Sequence, residues 1–407
     1  MGRKYIDHSW DFRQEDTKYS VHGFHPYPAM MIPQIARRLI LEYSRLGDYI
    51  LDPFCGSGTV LVESKLNNRY SVGIDINPLA LLLAKVKTTP IKPKTLLVSA
   101  QKLFDFIHSN RSQIDPPTFF NIEYWFKPRV ISDLARIKTA ISEINDQDIK
   151  DFFLVSFSLT VRAVSNTRNS EFKLYRIEPT KLASHNPDTV KTFQEIVLRN
   201  IEKMRYFYEN ADRDVEAKIY LADTRKRTPL PDNHFHLLVT SPPYGDSRTT
   251  VAYGQFSRLS LQWIDLPNAK NLDRQSLGGI PTKNLENSLP KTLNKVIEKI
   301  AKQEEKRARE VLSFYLDLRE TLLETTRVTS KKGIVCFVVG NRAVKGVRIP
   351  TDEILVELFK ALGYNHLETI IRNIPSKTMP LQNSPTNITG RVQDTIHKEN
   401  IVIVQKR

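Results

Sequence analysis

The sequence predicts an α/β protein with a twisted, mostly parallel seven-stranded sheet and helices on both faces. Two observations favour this class. An apolar run at 49–52 breaks into a glycine-containing turn and continues as a helix, and a second strand at 70–75 then ends in an acidic residue. Further apolar runs alternate with segments of helical periodicity towards the C-terminus. The seven strand candidates lie at 49–52, 70–75, 217–221, 235–240, 333–339, 366–372 and 400–405.

The N-terminal region precedes the first predicted strand. Residues 1–20 are polar and charged and are expected to form an arm over the surface. A His-Pro-Tyr-Pro turn follows at 25–28, because proline fixes a backbone angle that suits a turn. A helix is predicted over 29–46, where apolar residues recur at helical spacing. These apolar positions are Ile32, Ile35, Ala36, Leu39, Ile40 and Tyr43.

The turn after the first strand reads Asp-Pro-Phe-Cys-Gly-Ser-Gly-Thr at 52–59. Gly56 and Gly58 allow backbone angles and a close ligand approach that a side chain would block. The backbone N–H groups at the start of the following helix can then face a ligand. Asp75, at the end of the second strand, is placed to bind ribose hydroxyls as in dinucleotide-binding folds. A Walker loop would need a phosphate-binding lysine that this turn lacks, which argues against NTP hydrolysis.

A long segment separates the second strand from the third. Residues 86–215 are predicted to form an insertion or a lobe of their own, mostly helical. The helices are predicted at 97–109, 130–144, 148–164 and 189–210.

Two regions are candidates for contact with nucleic acid. The loop at 166–176 mixes basic, polar and aromatic residues, so it is either a phosphate-contacting and base-stacking segment or a solvated loop. The segment at about 265–310 is rich in lysine and arginine and is a second candidate, although such helices are more often solvated faces. The loop at 166–176 supplies three candidate DNA contacts, Arg168, Lys173 and Arg176, and Arg162, which lies just before it, is a fourth.

Composition and charge indicate which class of partner and which cellular compartment to expect. The chain has 407 residues, a formal net charge of +15 and a sequence pI of about 9.6, which favours a polyanionic partner such as nucleic acid. Its two cysteines form neither a metal-ligand spacing nor a disulfide framework, so we expect a reducing compartment and no metal. Residues 1–5 have no apolar leader, and no stretch is long enough to span a bilayer. A cytoplasmic location is expected.

Three motifs resemble one enzyme family. The turn at 52–59, Gly-Ile-Asp-Ile-Asn-Pro at 73–78 and Ser-Pro-Pro-Tyr at 241–244 resemble the S-adenosylmethionine-dependent DNA amino-methyltransferases of restriction–modification systems, which methylate cytosine N4 or adenine N6. The resemblance implies a Rossmann-like seven-stranded methyltransferase sheet, S-adenosylmethionine as cofactor, double-stranded DNA as substrate, and a cognate restriction endonuclease as a candidate partner.

The resemblance also implies roles for individual residues. The His-Pro-Tyr-Pro turn resembles a motif that closes over the methionine end of the cofactor, and Asp223, after the third strand, is placed to accept a hydrogen bond from the adenine amine. The implied cofactor-binding residues are His25, Pro26, Tyr27, Pro28, Asp52, Pro53, Phe54, Gly56, Ser57, Gly58, Thr59, Asp75, Asn77 and Asp223. Arg248 and Lys377 lie in runs that resemble restriction–modification enzymes and complete the candidate DNA contacts.

The implied catalytic residues are Ser241, Pro242, Pro243 and Tyr244. An exocyclic amine is a poor nucleophile, because its lone pair is delocalised into the ring. Acceptors around its N–H bonds, here Ser241 Oγ and the Pro242 carbonyl, favour a pyramidal nitrogen with a free lone pair. Pro243 stiffens the turn and Tyr244 offers a ring on which a flipped base can stack.

The choice of target base follows from the family pattern. Serine at the first motif position favours cytosine N4, and adenine N6 is the alternative. Methylation at cytosine C5 needs a cysteine nucleophile, usually after proline, whereas Cys55 follows Phe54 and Cys336 follows Val335. An RNA guanine-N2 methyltransferase is a further alternative, but such enzymes usually carry a separate N-terminal RNA-binding domain, for which the region before residue 49 is too short. A non-catalytic DNA-binding subunit is the last alternative.

The predicted domain organisation follows the motif order. Residues 1–85 form the N-terminal part of the methyltransferase domain. Residues 86–215 form the helical insertion, a candidate target-recognition lobe. Residues 216–407 complete the domain and contain the charged insert at 265–310, which is the rival candidate for recognition.

Overall fold

The computed structural model describes residues 2–109, 114–168, 171–246, 250–267, 270–375, 382–383, 393–394 and 396–407. Its strands are β1 (Arg3–Ile6), β2 (Tyr49–Asp52), β3 (Tyr70–Asp75), β4 (Ala217–Leu221), β5 (Phe235–Thr240), β6 (Thr329–Gly340), β7 (Ala343–Val344), β8 (Val347–Arg348), β9 (Tyr364–Asn373), β10 (Gln382–Asn383), β11 (Gln393–Asp394) and β12 (Lys398–Lys406).

The α-helices are α1 (Pro33–Tyr43), α2 (Thr59–Leu66), α3 (Pro78–Thr88), α4 (Pro93–Ser109), α5 (Ile122–Trp125), α6 (Pro128–Ser142), α7 (Gln147–Val164), α8 (Pro179–Leu182), α9 (Thr189–Asn210), α10 (Tyr253–Trp263), α11 (Leu272–Gln275), α12 (Lys291–Ala301), α13 (Glu305–Val328) and α14 (Thr351–Ala361). Two short 3₁₀ helices, His8–Trp10 and Ser20–Gly23, lie in the N-terminal region.

Eight strands form one sheet in the order β1-β9-β12-β6-β5-β2-β3-β4. All neighbours are parallel except β12, which runs antiparallel to both β6 and β9. All seven predicted strands are present, and the α/β fold class is confirmed. The turns that follow β2, β3, β4 and β5 therefore meet at one edge of the sheet, where ligands bind in open α/β folds.

The eighth strand, β1, corrects the prediction of a seven-stranded sheet. Residues 3–6, expected to be part of a surface arm, pair in parallel with β9 from Glu368 to Ile371. β1 lies at the edge of the sheet, and all four of its residues are exposed. Since neither face of the strand is buried, its sequence does not need to alternate apolar and polar residues. Sequence periodicity therefore could not have found it.

Helices cover both faces of the sheet. Apolar residues of α1 and α2 pack on one face and those of α12, α13 and α14 on the other. The predicted helix at 29–46 is shorter than expected, Pro33–Tyr43, because Ala29 has a φ of 52° and Pro33 sits in the first turn. The charged insert contains α12, whose Leu293, Val296, Ile297 and Ile300 are buried, so its charges are on the outer face.

The helical insertion at 86–215 consists of α4 to α9. Its apolar core is continuous with residues of α3 and α10, which lie outside the predicted boundaries of the insertion. Leu79 and Leu83 of α3 and Phe256 and Trp263 of α10 belong to this shared core. The insertion therefore packs directly against the helices that flank the carboxyl edge of the sheet.

Candidate active site

The glycine-containing turn at 52–59 joins β2 to α2 at the carboxyl edge of the sheet. Gly58 precedes the first residue of α2 with a φ of 85°, a left-handed angle that glycine adopts without strain. A Cβ at Gly58 would lie 2.9 Å from Cα and Cβ of Ala84 in α3. Glycine is therefore needed here so that α2 and α3 can approach closely.

Asp75 ends β3 directly beside this turn. Its Oδ2 accepts a hydrogen bond from the Gly56 N–H at 3.0 Å, and its Oδ1 accepts one from the Asn77 N–H at 2.8 Å. Burial raises the pKa of Asp75 to about 6, although these N–H groups favour the carboxylate and act in the opposite direction. Each oxygen keeps a lone pair that can accept a ligand hydroxyl.

Asp52 links the turn to the strand that carries Ser-Pro-Pro-Tyr. Its Oδ1 accepts hydrogen bonds from Thr240 Oγ1 at 2.6 Å and from the Phe54 N–H at 3.1 Å. Thr240 is the last residue of β5 and directly precedes Ser241. Burial raises the pKa of Asp52 to about 7, since a low-dielectric site disfavours the charged form.

One cleft brings most of the predicted site residues together. The cleft is open to solvent, and its volume including the open mouth is about 910 Å³. The predicted residues that line it are Tyr27, Pro28, Asp52, Pro53, Phe54, Gly56, Ser57, Thr59, Asp75, Asn77, Asp223, Ser241 and Pro243. Residues predicted for the methyl donor and residues predicted for the acceptor therefore face a shared space.

Five predicted residues lie outside the lining of this cleft, namely His25, Pro26, Gly58, Pro242 and Tyr244. His25 is buried, with Nδ1 2.6 Å from the Pro26 carbonyl oxygen and Nε2 2.8 Å from Ser158 Oγ in α7. Burial lowers the pKa of His25 to about 3, so its ring is neutral at pH 7. His25 thus joins the His-Pro-Tyr-Pro turn to the insertion and does not face the cleft.

Asn77 lines the cleft, but both polar atoms of its side chain form hydrogen bonds within the protein. Its Oδ1 accepts a hydrogen bond from the Leu79 N–H at 3.1 Å and caps α3. Its Nδ2 donates to the hydroxyls of Tyr27 and Ser257, both at 2.8 Å. Asn77 therefore positions Tyr27 at the cleft wall.

Asp223 is held by an ion pair on the far side of the cleft. Arg225 Nη2 lies 2.7 Å from Asp223 Oδ2, and this bond lowers the pKa of Asp223 against the opposing effect of burial. Arg225 also donates to Asp317 Oδ2 at 2.9 Å and to the Gln275 carbonyl at 2.7 Å. The carboxylate of Asp223 is thus fixed in place and stays ionised.

The Ser241 hydroxyl is oriented by the sheet. Its Oγ donates to the Val338 carbonyl oxygen at 3.1 Å and lies 3.4 Å from the Tyr244 hydroxyl. Because its proton is directed at β6, the lone pairs of Oγ remain available to accept a hydrogen bond from a group in the cleft.

The sequence is similar to that of known DNA methyltransferases. The model of the N6/N4 methyltransferase family, described as DNA methylase, matches residues 2–86. The type II methyltransferase M.MvaI of Kocuria varians is 42% identical over 421 residues, which cover 97% of this chain and 93% of the relative. The chain belongs to the type II DNA methyltransferases of the N6/N4 family.

Other similarities are shorter or weaker. The type II methyltransferase M.MjaII of Methanocaldococcus jannaschii is 46% identical over 74 residues, 18% of this chain and 14% of the relative. A tRNA (guanine(10)-N2)-dimethyltransferase of Methanothermobacter thermautotrophicus is 46% identical over 52 residues, 12% of this chain and 16% of the relative. A solved SAM-dependent methyltransferase of Methanosarcina mazei matches with a TM-score of 0.33 and 10% identity, covering 94% of this chain and 98% of that chain.

The methyltransferase uses S-adenosylmethionine as its cofactor. Two carboxylates, Asp75 and Asp223, lie at the ends of neighbouring strands and suit the ribose hydroxyls and the adenine amine. Tyr27, Pro28 and Met30 form the wall next to the glycine-containing turn, where the methionine portion would extend towards Ser241. These assignments of individual contacts are predictions that the cleft geometry supports.

Several cleft residues of the methyltransferase were not predicted. They are Ala29, Met30, Met31, Cys55, Val60, Ile76, Ala222, Thr224, Arg225, Tyr253, Leu272, Gln275, Ser276 and Leu277. Those at 272–277 belong to the charged insert at 265–310, which was predicted as the alternative to the 86–215 insertion for DNA recognition. Because their side chains are neither periodic nor part of a motif, only the folded arrangement shows that this part of the insert closes the cleft.

The predicted DNA contacts of the methyltransferase separate into three groups. The first group lies in the 166–176 loop, where Arg168 is exposed and Lys173 and Arg176 are partly buried. Arg168 pairs with Glu171 at 3.4 Å and with Glu178 at 3.2 Å. The guanidinium of Arg176 lies 4.1 Å above the Tyr124 ring. Arg248 and Lys377 lie outside the described residues.

Arg162 forms the third group and requires a correction. It is buried, it donates to the Phe256 carbonyl at 3.0 Å, and its guanidinium lies 3.9 Å above the Phe256 ring. Burial lowers its pKa to about 10. A side chain in this position joins the insertion to α10 and is not exposed to contact a phosphate.

Within the described ranges, no group of three or more His, Cys, Asp or Glu side chains is arranged to hold a metal ion. None of the helices in the same ranges is both long and apolar enough to cross a membrane.

Proposed function

We propose that this enzyme methylates an exocyclic amine of a base flipped out of double-stranded DNA, with cytosine N4 as the favoured target. The observation that carries this proposal is the position of Ser241 and Pro243, which line the same cleft as Asp75 and Gly56. A methyl group held against the glycine-containing turn would therefore be within reach of an amine placed at Ser241. A base in an intact duplex cannot enter such a cleft, so it must leave the stack.

In this proposal, residues of the chain orient the target amine and accept hydrogen bonds from its N–H groups. S-adenosylmethionine supplies an electrophilic methyl group on a sulfonium. Ser241 Oγ, with its own proton directed at Val338, accepts one amine hydrogen, and the Pro242 carbonyl is proposed to accept the other. These two bonds localise the nitrogen lone pair, and alignment of nitrogen, carbon and sulfur supplies much of the rate enhancement. As the nitrogen–carbon bond forms, the bond from sulfur to the methyl group would break and S-adenosylhomocysteine would leave. The methylated amine would then release one proton to solvent.

Serine at position 241 supports cytosine N4, because aspartate or asparagine at that position goes with adenine N6 in enzymes of this kind. The decisive experiment treats plasmid DNA with tritiated S-adenosylmethionine and identifies the labelled nucleoside by mass spectrometry. N4-methylcytosine is the expected product. N6-methyladenine would overturn the assignment of the base but not of the site. Label only in a parallel reaction with total RNA would favour guanine-N2 methylation, and cofactor binding without transfer in either reaction would favour a DNA-binding subunit.

The 86–215 insertion is proposed to recognise the target sequence. Its 166–176 loop exposes Phe172 and Tyr175, at 45% and 46% of their surface, beside Arg168. The Phe172 ring meets Phe256 of α10 edge-on, with centroids 5.8 Å apart, and Phe256 meets Tyr27 of the cleft wall at 5.7 Å. This chain of contacts supports a loop that lies next to the cleft and can contact DNA there. A restriction endonuclease with the same target is the proposed cellular partner.

A further inference from the structure

A row of three residues crosses the sheet beneath the Ser-Pro-Pro-Tyr loop. Glu399 of β12 lies directly opposite Gly340 of β6 on one side and Arg372 of β9 on the other. Residues directly opposite each other in neighbouring antiparallel strands present their side chains on the same face. Gly340, Glu399 and Arg372 therefore form one continuous platform near the carboxyl edge.

Tyr244 packs against this platform at Gly340 and forms a hydrogen bond to it at Glu399. A Cβ at Gly340 would lie 2.7 Å from Cδ2 and 2.9 Å from Cε2 of the Tyr244 ring, so only glycine leaves room for the ring at this place. The Tyr244 hydroxyl donates to Glu399 Oε1 at 2.9 Å. The ring is thus fixed at its edge by packing and at its tip by a charge-assisted hydrogen bond.

Glu399 is itself held from the opposite side. Arg372 is 2% exposed and its Nη1 donates to Glu399 Oε2. The same guanidinium donates through Nε to the Trp10 carbonyl at 2.7 Å and through Nη2 to the Asp11 carbonyl at 3.3 Å. A path of direct contacts therefore runs from the N-terminal segment through Arg372 and Glu399 to the loop that carries Ser241.

We propose that Glu399 is a positioning residue for methyl transfer, which holds the Tyr244 hydroxyl and thereby sets the orientation of the Ser-Pro-Pro-Tyr loop relative to the cleft. This inference rests on the proposed function. Glu399 does not line the cleft and touches neither donor nor acceptor; it acts through Tyr244, which is 3.4 Å from Ser241 Oγ at its hydroxyl. The loss of Glu399 would let the ring turn about its side-chain bonds and would release Ser241 from its alignment.

Two conservative variants and their combination test this inference. Tyr244→Phe keeps the ring and leaves the Arg372–Glu399 pair intact, whereas Glu399→Gln keeps an acceptor oxygen but removes the charge. Each is expected to lower kcat by about tenfold, which corresponds to one hydrogen bond to a charged group, with an unchanged Kd for S-adenosylmethionine. Because Tyr244→Phe removes the hydrogen bond that Glu399→Gln weakens, the double variant should be no slower than the slower single variant.

Tyr43→Phe is the matched control. The Tyr43 hydroxyl donates to Glu368 Oε1 at 2.7 Å on β9, so this variant removes a tyrosine–glutamate bond from the same sheet far from the cleft, and its kcat should stay normal. Normal kcat in Tyr244→Phe and Glu399→Gln, or fully additive losses in the double variant, would overturn the role of Glu399. Wild-type transfer to DNA in the same assay tests the proposed function separately, since an active wild type with unaffected variants refutes only the positioning role.

Discussion

The two halves of the cleft are built in different ways. The donor side consists of short continuous stretches, 52–59 and 73–78, whose own backbone N–H groups bind the carboxylate of Asp75. On the acceptor side, the stretch at 241–244 is supported by residues almost a hundred or more positions away, Val338, Gly340 and Glu399. Local sequence therefore specifies the glycine-containing turn and the hydrogen bonds of Asp75, whereas the support of the acceptor stretch depends on the assembled sheet.

The largest expected effect concerns the acceptor side. Ser241→Ala should lower turnover by about 10²–10³-fold, because it removes a hydrogen bond aimed at the reacting amine. Affinity for S-adenosylmethionine should stay nearly unchanged, because Ser241 is bonded to β6 and not to the donor turn. Single-turnover kinetics and calorimetry measure the two quantities. Normal turnover would refute 241–244 as the active site, and loss of cofactor binding would place Ser241 in the donor pocket.

Asp75→Ala makes the complementary change on the donor side. Cofactor affinity should fall by about 10- to 100-fold, since hydrogen bonds to a charged group contribute about 1.5–3 kcal/mol. Circular dichroism should show an intact fold. Calorimetry that finds unchanged affinity would exclude Asp75 as the ribose acceptor and would remove the contrast between the two sides.

A smaller effect is expected outside the cleft. Arg168→Ala and Lys173→Ala should each weaken DNA binding and reduce the slope of log affinity against log salt by about 0.9, the contribution of one phosphate contact. Arg162→Lys is the matched control, because it keeps the charge of a buried residue that does not reach DNA, and its salt slope should equal that of the wild type. Unchanged slopes in both Arg168→Ala and Lys173→Ala would argue against the 166–176 loop as a phosphate contact.

The smallest effect concerns stability of the donor side. Because the folded-state pKa of Asp75 is raised to about 6, the folded state holds a proton that the unfolded state has already released between about pH 4 and 6. The free energy of unfolding therefore receives a penalty from Asp75 that grows across this window and is complete above it. Asp75→Asn should flatten the stability–pH profile between pH 4 and 6 in the absence of cofactor. An unchanged profile in chemical denaturation would show that Asp75 titrates normally.

The same contrast explains which parts of the molecule could be predicted from the sequence. The seven strands, the donor turn and Ser-Pro-Pro-Tyr could be recognised because each is a contiguous pattern of apolar, glycine or proline residues. Glu399 and the cleft residues at 272–277 carry no such pattern, and β1 is too short and too exposed to show one. Arg162 was misassigned because a basic residue next to a polar loop resembles a surface residue, whereas its helix face packs on Phe256.

The position of β12 has a consequence for synthesis of the chain on the ribosome. The donor turn and β3 lie within the first 80 residues and can form early, together with α2 and α3. By contrast, β12 separates β6 from β9, so β9 and β1 cannot join the sheet until residues 398–406 have left the ribosome. A nascent chain would thus have an almost finished pocket for the methyl donor while its acceptor loop still lacked Glu399. Methyl transfer would begin only after residues 398–406 have been synthesised and β12 is inserted into the sheet.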